Sequence, residues 1–177
     1  MLAAGVSAAC LTAGRSHAHG LASLAEALKP IEPPAEAPDI AFSAQDGTQH
    51  HLSEYRGRGM VINFWATWCA PCVAEMPSLG TLSKALASAN IVVLPLSSDR
   101  GGADVVDRWF QAHDVTGLPV LIDPKGEAAR AFDARGIPTT VVIDREGRAR
   151  AKVEGAADWS TPAAVALIER LVNAGQG

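Results

Sequence analysis

A chain of 177 residues, 48% of them hydrophobic, can build one domain with a real core but not two of ordinary size. Its net charge of −4 and its lack of any basic run exclude a nucleic-acid surface. Three cysteines, two of them in one motif, exclude a disulfide-stapled scaffold.

Residues 1–18 read as a signal peptide. Leu2 to Gly14 is small and apolar, about the length of a signal-peptide core and short of the roughly 20 residues that span a bilayer. Ser16-His17-Ala18 puts small residues where a signal peptidase reads, so the mature chain is expected to begin near His19. No Lys or Arg precedes Arg15, which leaves two alternatives: a true start upstream, with a longer anchor, or a helical tail. Residues 19–38 join a short helical patch (Leu21, Leu24, Leu28) to Pro30, Pro33, Pro34 and Pro38, and read as an extended linker. The folded domain is expected over residues 39–175.

Within it, Ile40–Ser43 and Thr48–Leu52 flank Asp46-Gly47 as a β-hairpin. Met60–Trp65 is β-branched and aromatic, as a buried strand should be. From Cys72 the period turns helical through Met76, Leu79, Leu82 and Leu86, to about Ala89, where Asn90 can cap. Ile91–Ser97 is apolar throughout, the pattern of a covered parallel strand. Val105, Val106, Trp109 and Phe110 mark one helical face. Leu118–Ile122 predicts a strand and Glu127–Phe132 a short helix. Thr139–Ile143 and Arg148–Glu154 predict a hairpin across residues 144–147. A last helix follows, with Ser160 as its cap and Pro162 in its first turn.

The chemistry concentrates at Cys69-Ala70-Pro71-Cys72, where a strand hands over to a helix. Unsatisfied N–H groups and a partial positive charge at a helix N-terminus favour a thiolate, the nucleophilic form of cysteine. Cys69, at the very start, gains more from this than Cys72. Pro71 suits a first turn because its missing N–H would have had no partner. A structural zinc site would need a second ligand pair, and no other Cys-x-x-Cys or spaced His pair exists. A redox dithiol is therefore the reading of the motif. His50, His51 and His113 have no evident partner and read as surface residues; His17 and His19 could hold copper only weakly.

Val61 to Cys72, with Pro77 five residues on and Gly136-Ile137-Pro138-Thr139 later, resembles the active-site strand, the kinked helix and the cis-proline loop of the thioredoxin superfamily. Asn63-Phe64-Trp65-Ala66-Thr67-Trp68-Cys69 and Glu75-Met76-Pro77 are similar to its TlpA-like branch, over roughly residues 38–173. The resemblance implies an α/β, thioredoxin-like fold: a central mixed sheet flanked by helices, an N-terminal β-hairpin and an extra helix–strand insertion. It implies a thiol–disulfide oxidoreductase with no cofactor beyond its redox-active disulfide. Cys69 is then the attacking thiolate, Cys72 the resolving thiol, and Ala70-Pro71 set the potential. A cis bond at Pro138 turns the Ile137 backbone toward the dithiol. Trp68 shields Cys69 and meets substrate, or only packs, and Trp65 is core.

Asn63 stands where thioredoxin itself carries a proton-relaying aspartate, and an amide is neither acid nor base. Deprotonating Cys72 must then use water or Glu75, which could equally face solvent. The resemblance further implies a periplasmic, monomeric reductase of exported protein disulfides, recharged by a membrane electron donor. Its substrates would serve cytochrome oxidase copper-site assembly or cytochrome c maturation. Pro138-Thr139-Thr140 departs from the Pro-Glu-Thr of one cytochrome c branch. A disulfide-forming oxidase and a copper-binding assembly module are the alternatives.

Overall fold

The structure is a computed structural model that describes residues 22–175. The predicted signal peptide, Cys10, His17 and His19 lie outside the described residues. In chain order the elements are β1 (Ala22–Ser23), α1 (Leu24–Ala27), β2 (Leu28–Glu36), β3 (Ala41–Ala44) and β4 (Gln49–His51). A 3-10 turn at Leu52–Tyr55 leads to β5 (Gly59–Trp65), α2 (Ala70–Leu86) and a second 3-10 turn at Ala87–Ala89. Then come β6 (Ile91–Ser97), α3 (Ala103–Ala112), β7 (Leu121–Ile122) and α4 (Glu127–Ala131). The chain closes with β8 (Thr139–Ile143), β9 (Arg148–Glu154), β10 (Ala157–Asp158) and α5 (Pro162–Asn173).

Eight strands form one mixed sheet in the order β2-β9-β8-β5-β6-β7-β3-β4, and β1 pairs with β10 in parallel. The central strand β5 runs parallel to β6 and antiparallel to β8. All seven of its residues are buried, so its alternation sorts them between two cores rather than between core and solvent. Val61 and Trp65 face one core, with Met76, Leu79 and Leu82 of α2, Phe110 of α3 and Ile168 of α5. Met60, Ile62 and Phe64 face the other, with Phe42 of β3, Ala128 of α4, and Phe132. Asn63 lies on the β5 face that carries Val61 and Trp65, the face toward α2. Gly80 lets α2 settle: a Cβ there would stand 2.5 Å from the Thr116 carbonyl oxygen.

Four expectations are corrected. The Pro-rich stretch is not a free linker. Leu28–Pro30 and Ala35–Glu36 pair with β9, with a register shift between them that takes up Pro33-Pro34. Prolines are tolerated there because β2 is an edge strand, where a missing N–H deprives no further neighbour. The cap of α5 is Thr161, whose hydroxyl accepts from Ala164 N at 3.1 Å, because Asp158 already engages both the N–H and the hydroxyl of Ser160. Within residues 118–122 only Leu121–Ile122 is a strand, after Pro119. The histidines are partnered: His50 Nδ1 lies 2.9 Å from Glu54, His51 Nδ1 3.8 Å from Asp39, and His113 Nδ1 2.8 Å from the Trp109 carbonyl. Among the described residues no helix is long and apolar enough to cross a membrane.

Candidate active site

The strand β5 ends at Trp65, and α2 begins five residues later at Ala70, with Cys69 as its N-cap. The Cys72 N–H donates to Cys69 Sγ at 3.3 Å, the capping bond that an N-cap side chain makes to the first turn. Cys69 and Cys72 are joined as a disulfide. Cys69 retains 7% exposure and Cys72 none, so the outer sulfur is the one a partner can reach. Cys69 Sγ also lies 3.7 Å from the Ile137 carbonyl oxygen, and the Ile137–Pro138 bond is cis. Ala70 and Pro71 are exposed on the first turn of α2, and Trp68 stands out at 69% exposure. Trp65 is core, stacked on Phe110 at 5.5 Å.

The loop before Cys69 is held from the end of β6. Asp99, 4% exposed, accepts from Thr67 N at 2.9 Å, from the Thr67 hydroxyl at 2.7 Å and from the Ser97 hydroxyl at 2.7 Å. Ser98 N donates to the Trp65 carbonyl at 3.0 Å. These bonds fix the backbone on which Trp68 and Cys69 are carried.

Glu75, one turn beyond Cys72, does not face solvent: it is fully buried. Its Oε1 accepts from Asn63 Nδ2 at 2.8 Å. Its Oε2 accepts from Ala157 N at 3.0 Å and from Trp159 Nε1 at 2.9 Å. Asn63 Nδ2 also donates to the Thr140 hydroxyl at 2.8 Å. Burial pushes the Glu75 carboxyl above its usual range, and the donors on Trp159, Ala157 and Asn63 pull it part of the way back. Burial thus favours the protonated form of the carboxyl and the three donors favour the charged one.

The structure therefore brings together Cys69, Cys72, Ile137 and Pro138 at the start of α2, with Cys69 and Ile137 outermost, and Asn63 with Glu75 in the core beneath them. Trp159, Thr140, the Ala157 amide and Asp99 were missed. A lone tryptophan just before the last helix was a weak signal, since a buried indole N–H needs an acceptor. Among the described residues no three His, Cys, Asp or Glu side chains gather as a metal site would require.

The family model described as AhpC/TSA matches residues 33–152. A thiol-disulfide oxidoreductase, ResA, from Geobacillus thermodenitrificans is 31% identical over 119 residues, 67% of each chain. The exposed lipoprotein thioredoxin Etrx1 of Streptococcus pneumoniae is similar in structure, with a TM-score of 0.59 and 28% identity over 75% of this chain and 98% of that one. A secreted thiol-disulfide isomerase from Corynebacterium glutamicum, at 22% identity, shares the fold with a TM-score of 0.70 over 83% of this chain and 92% of that one.

Proposed function

The chain belongs to the AhpC/TSA family as a TlpA-like, thioredoxin-superfamily thiol–disulfide oxidoreductase, and from that premise we propose that it is an extracytoplasmic reductase of exported protein disulfides. The observation that carries this reading is the uncompensated Glu75 carboxyl one turn behind the resolving sulfur: all of its hydrogen bonds come from neutral donors. A carboxylate there disfavours a second negative charge beside it. The dithiol is then less stable relative to the disulfide, and the reduced protein gives up electrons readily.

In the proposed cycle Cys69 thiolate, favoured by the Cys72 N–H, attacks one sulfur of a substrate disulfide. The substrate's other sulfur leaves as a thiolate. Cys72 then gives its proton to Glu75 and attacks Cys69 Sγ, which breaks the bond to the substrate, releases its second sulfur as a thiolate and closes the Cys69–Cys72 disulfide. Two electrons pass to the substrate. The Ile137 carbonyl beside Cys69 gives an incoming extended segment a backbone acceptor, and exposed Trp68 gives it an apolar surface. Substrates in cytochrome oxidase copper-site assembly or cytochrome c maturation fit this role, with recharging by a membrane electron donor in a compartment kept oxidising. The exported kind of relative, an exposed lipoprotein thioredoxin, supports the location.

The test is acid trapping and thiol labelling in the native cell. A mostly reduced dithiol is expected, becoming oxidised when the membrane donor is deleted. Cys72→Ser should accumulate mixed disulfides with substrates while Cys69→Ser does not. A dithiol oxidised in both strains, whose addition forms disulfides in reduced substrates, would falsify the reductase and leave the oxidase.

A further inference from the structure

Every partner of the Glu75 carboxyl is a donor. Asn63 Nδ2 faces Oε1, and the Ala157 N–H and Trp159 indole N–H face Oε2. This set suits a carboxylate and does not suit a carboxylic acid, because a proton on either oxygen would point at an N–H. A backbone amide and an indole have no lone pair to present and cannot be turned round. The Asn63 amide can. Its acceptor end, Oδ1, is buried and makes no hydrogen bond, so nothing holds the amide in its present sense from that side. Its other partner, the Thr140 hydroxyl, can donate as readily as it accepts.

We propose that Asn63 is a proton-coupled rotor, a positioning residue that lets Glu75 hold a proton. When Oε1 is protonated, the amide turns through about 180° on its terminal torsion, which is soft and nearly two-fold. Oδ1 then takes the place of Nδ2 and accepts from both the Glu75 O–H and the Thr140 O–H. Two hydrogen bonds are broken and two are formed. When the proton leaves, the amide turns back. Oε2 keeps its two donors throughout, which directs the proton to Oε1. An aspartate at position 63 could accept in this way but would add a second charge, and an aliphatic residue could do neither.

The groups that meet Glu75 from β5 and the β10 segment are an amide, a backbone N–H and an indole, with the Thr140 hydroxyl of β8 behind the amide, and none is charged. From α1, α5 and β6 the same core receives Leu24, Ile168 and Val93, and the buried Ser97 hydroxyl of β6 is engaged by Asp99. Cys72 is the titratable group next to Glu75 on its own helix. The rotor deepens the reductase reading, and rests on it only for the statement that the proton comes from Cys72.

The full chain, oxidised so that neither cysteine titrates, is labelled with 13C at glutamate carboxyls and 15N at asparagine side chains and followed by NMR against pH. The Glu75 carboxyl and the Asn63 side-chain amide signals should shift together through one midpoint. Glu75→Gln mimics the protonated acid, since its amide nitrogen must lie on the Asn63 side, away from the two fixed donors. In that variant the Asn63 signals should stand at the wild-type low-pH position at every pH. A Glu75 carboxyl that titrates while the Asn63 amide signals stay fixed overturns the rotor. So does an E75Q protein with Asn63 at the high-pH position, and so does a Glu75 that shows no titration in the folded protein. No turnover is measured, so these outcomes are separate from the mixed-disulfide trapping that tests the reductase.

Discussion

Asp144 and Glu75 are both fully buried carboxyls near opposite ends of β8, and they are satisfied in opposite ways. At the hairpin turn, Asp144 accepts from the N–H groups of Glu146 and Arg148 and meets two guanidiniums, Arg148 Nε at 3.1 Å and Arg150 Nη1 at 3.5 Å. Beneath the dithiol, Glu75 has donors of good geometry and no guanidinium or ammonium among them. A buried charge with cations beside it is held in its charged form, whereas burial with neutral donors alone costs Glu75 more, and in the proposed cycle that is what lets it take a proton.

The largest effect should come from breaking the paired side. Asp144→Ala should cost about 3 kcal/mol in denaturant unfolding, the low end for a broken buried pair because Arg148 is about one-third exposed. Turnover measured below the transition should be unchanged. Glu75→Gln should do the reverse. It should slow release of mixed disulfides about 10²-fold, the lower range for a lost proton acceptor, with a stability change within about 1 kcal/mol. If E75Q unfolds the protein as Asp144→Ala does, the contrast between the two carboxyls fails.

A third, smaller effect is linked to pH. The folded Glu75 holds its proton more tightly than the unfolded chain does, so its contribution to stability is fully present below the ordinary glutamate value of about 4.3. That contribution is lost as pH rises through the raised folded value. Wild type minus E75Q, compared by unfolding over this window, should show stability falling with pH by at most about 1.4 kcal/mol per unit. A rising difference would mean that the donors outweigh burial. The smallest stability effect is expected at Trp68→Ala, within about 0.5 kcal/mol, since the ring is 69% exposed. Its readout is a raised KM for protein disulfides with small-disulfide reduction kept.

Most of the fold was legible because it is local. The β5 and β6 runs, the α2 period and the β8–β9 hairpin are written in residues that are neighbours in sequence. The dithiol and its helix N-terminus were legible for the same reason. The environment of Glu75 was not, because its partners come from 82 and 84 residues away and Asn63 from 12. Helical position alone left two faces open, and the indole of Trp159 decided between them. The Asp99 clasp on Thr67 spans 32 residues and carries no local period. The Pro-rich stretch misled for a different reason: composition reports what a segment lacks, and β2 supplies only half of its pairing, the rest coming from β9.

That edge strand also shapes what the molecule can meet. Three of its nine residues are prolines, so the outer rim of the sheet offers a broken row of amide hydrogens. A strand from another copy would find few rungs to add to there, which guards against ribbon-like stacking of a domain whose central strands are almost wholly apolar. In the proposed cycle a guest chain instead meets the loop just before β8, where the Ile137 carbonyl stands beside the reactive sulfur of Cys69.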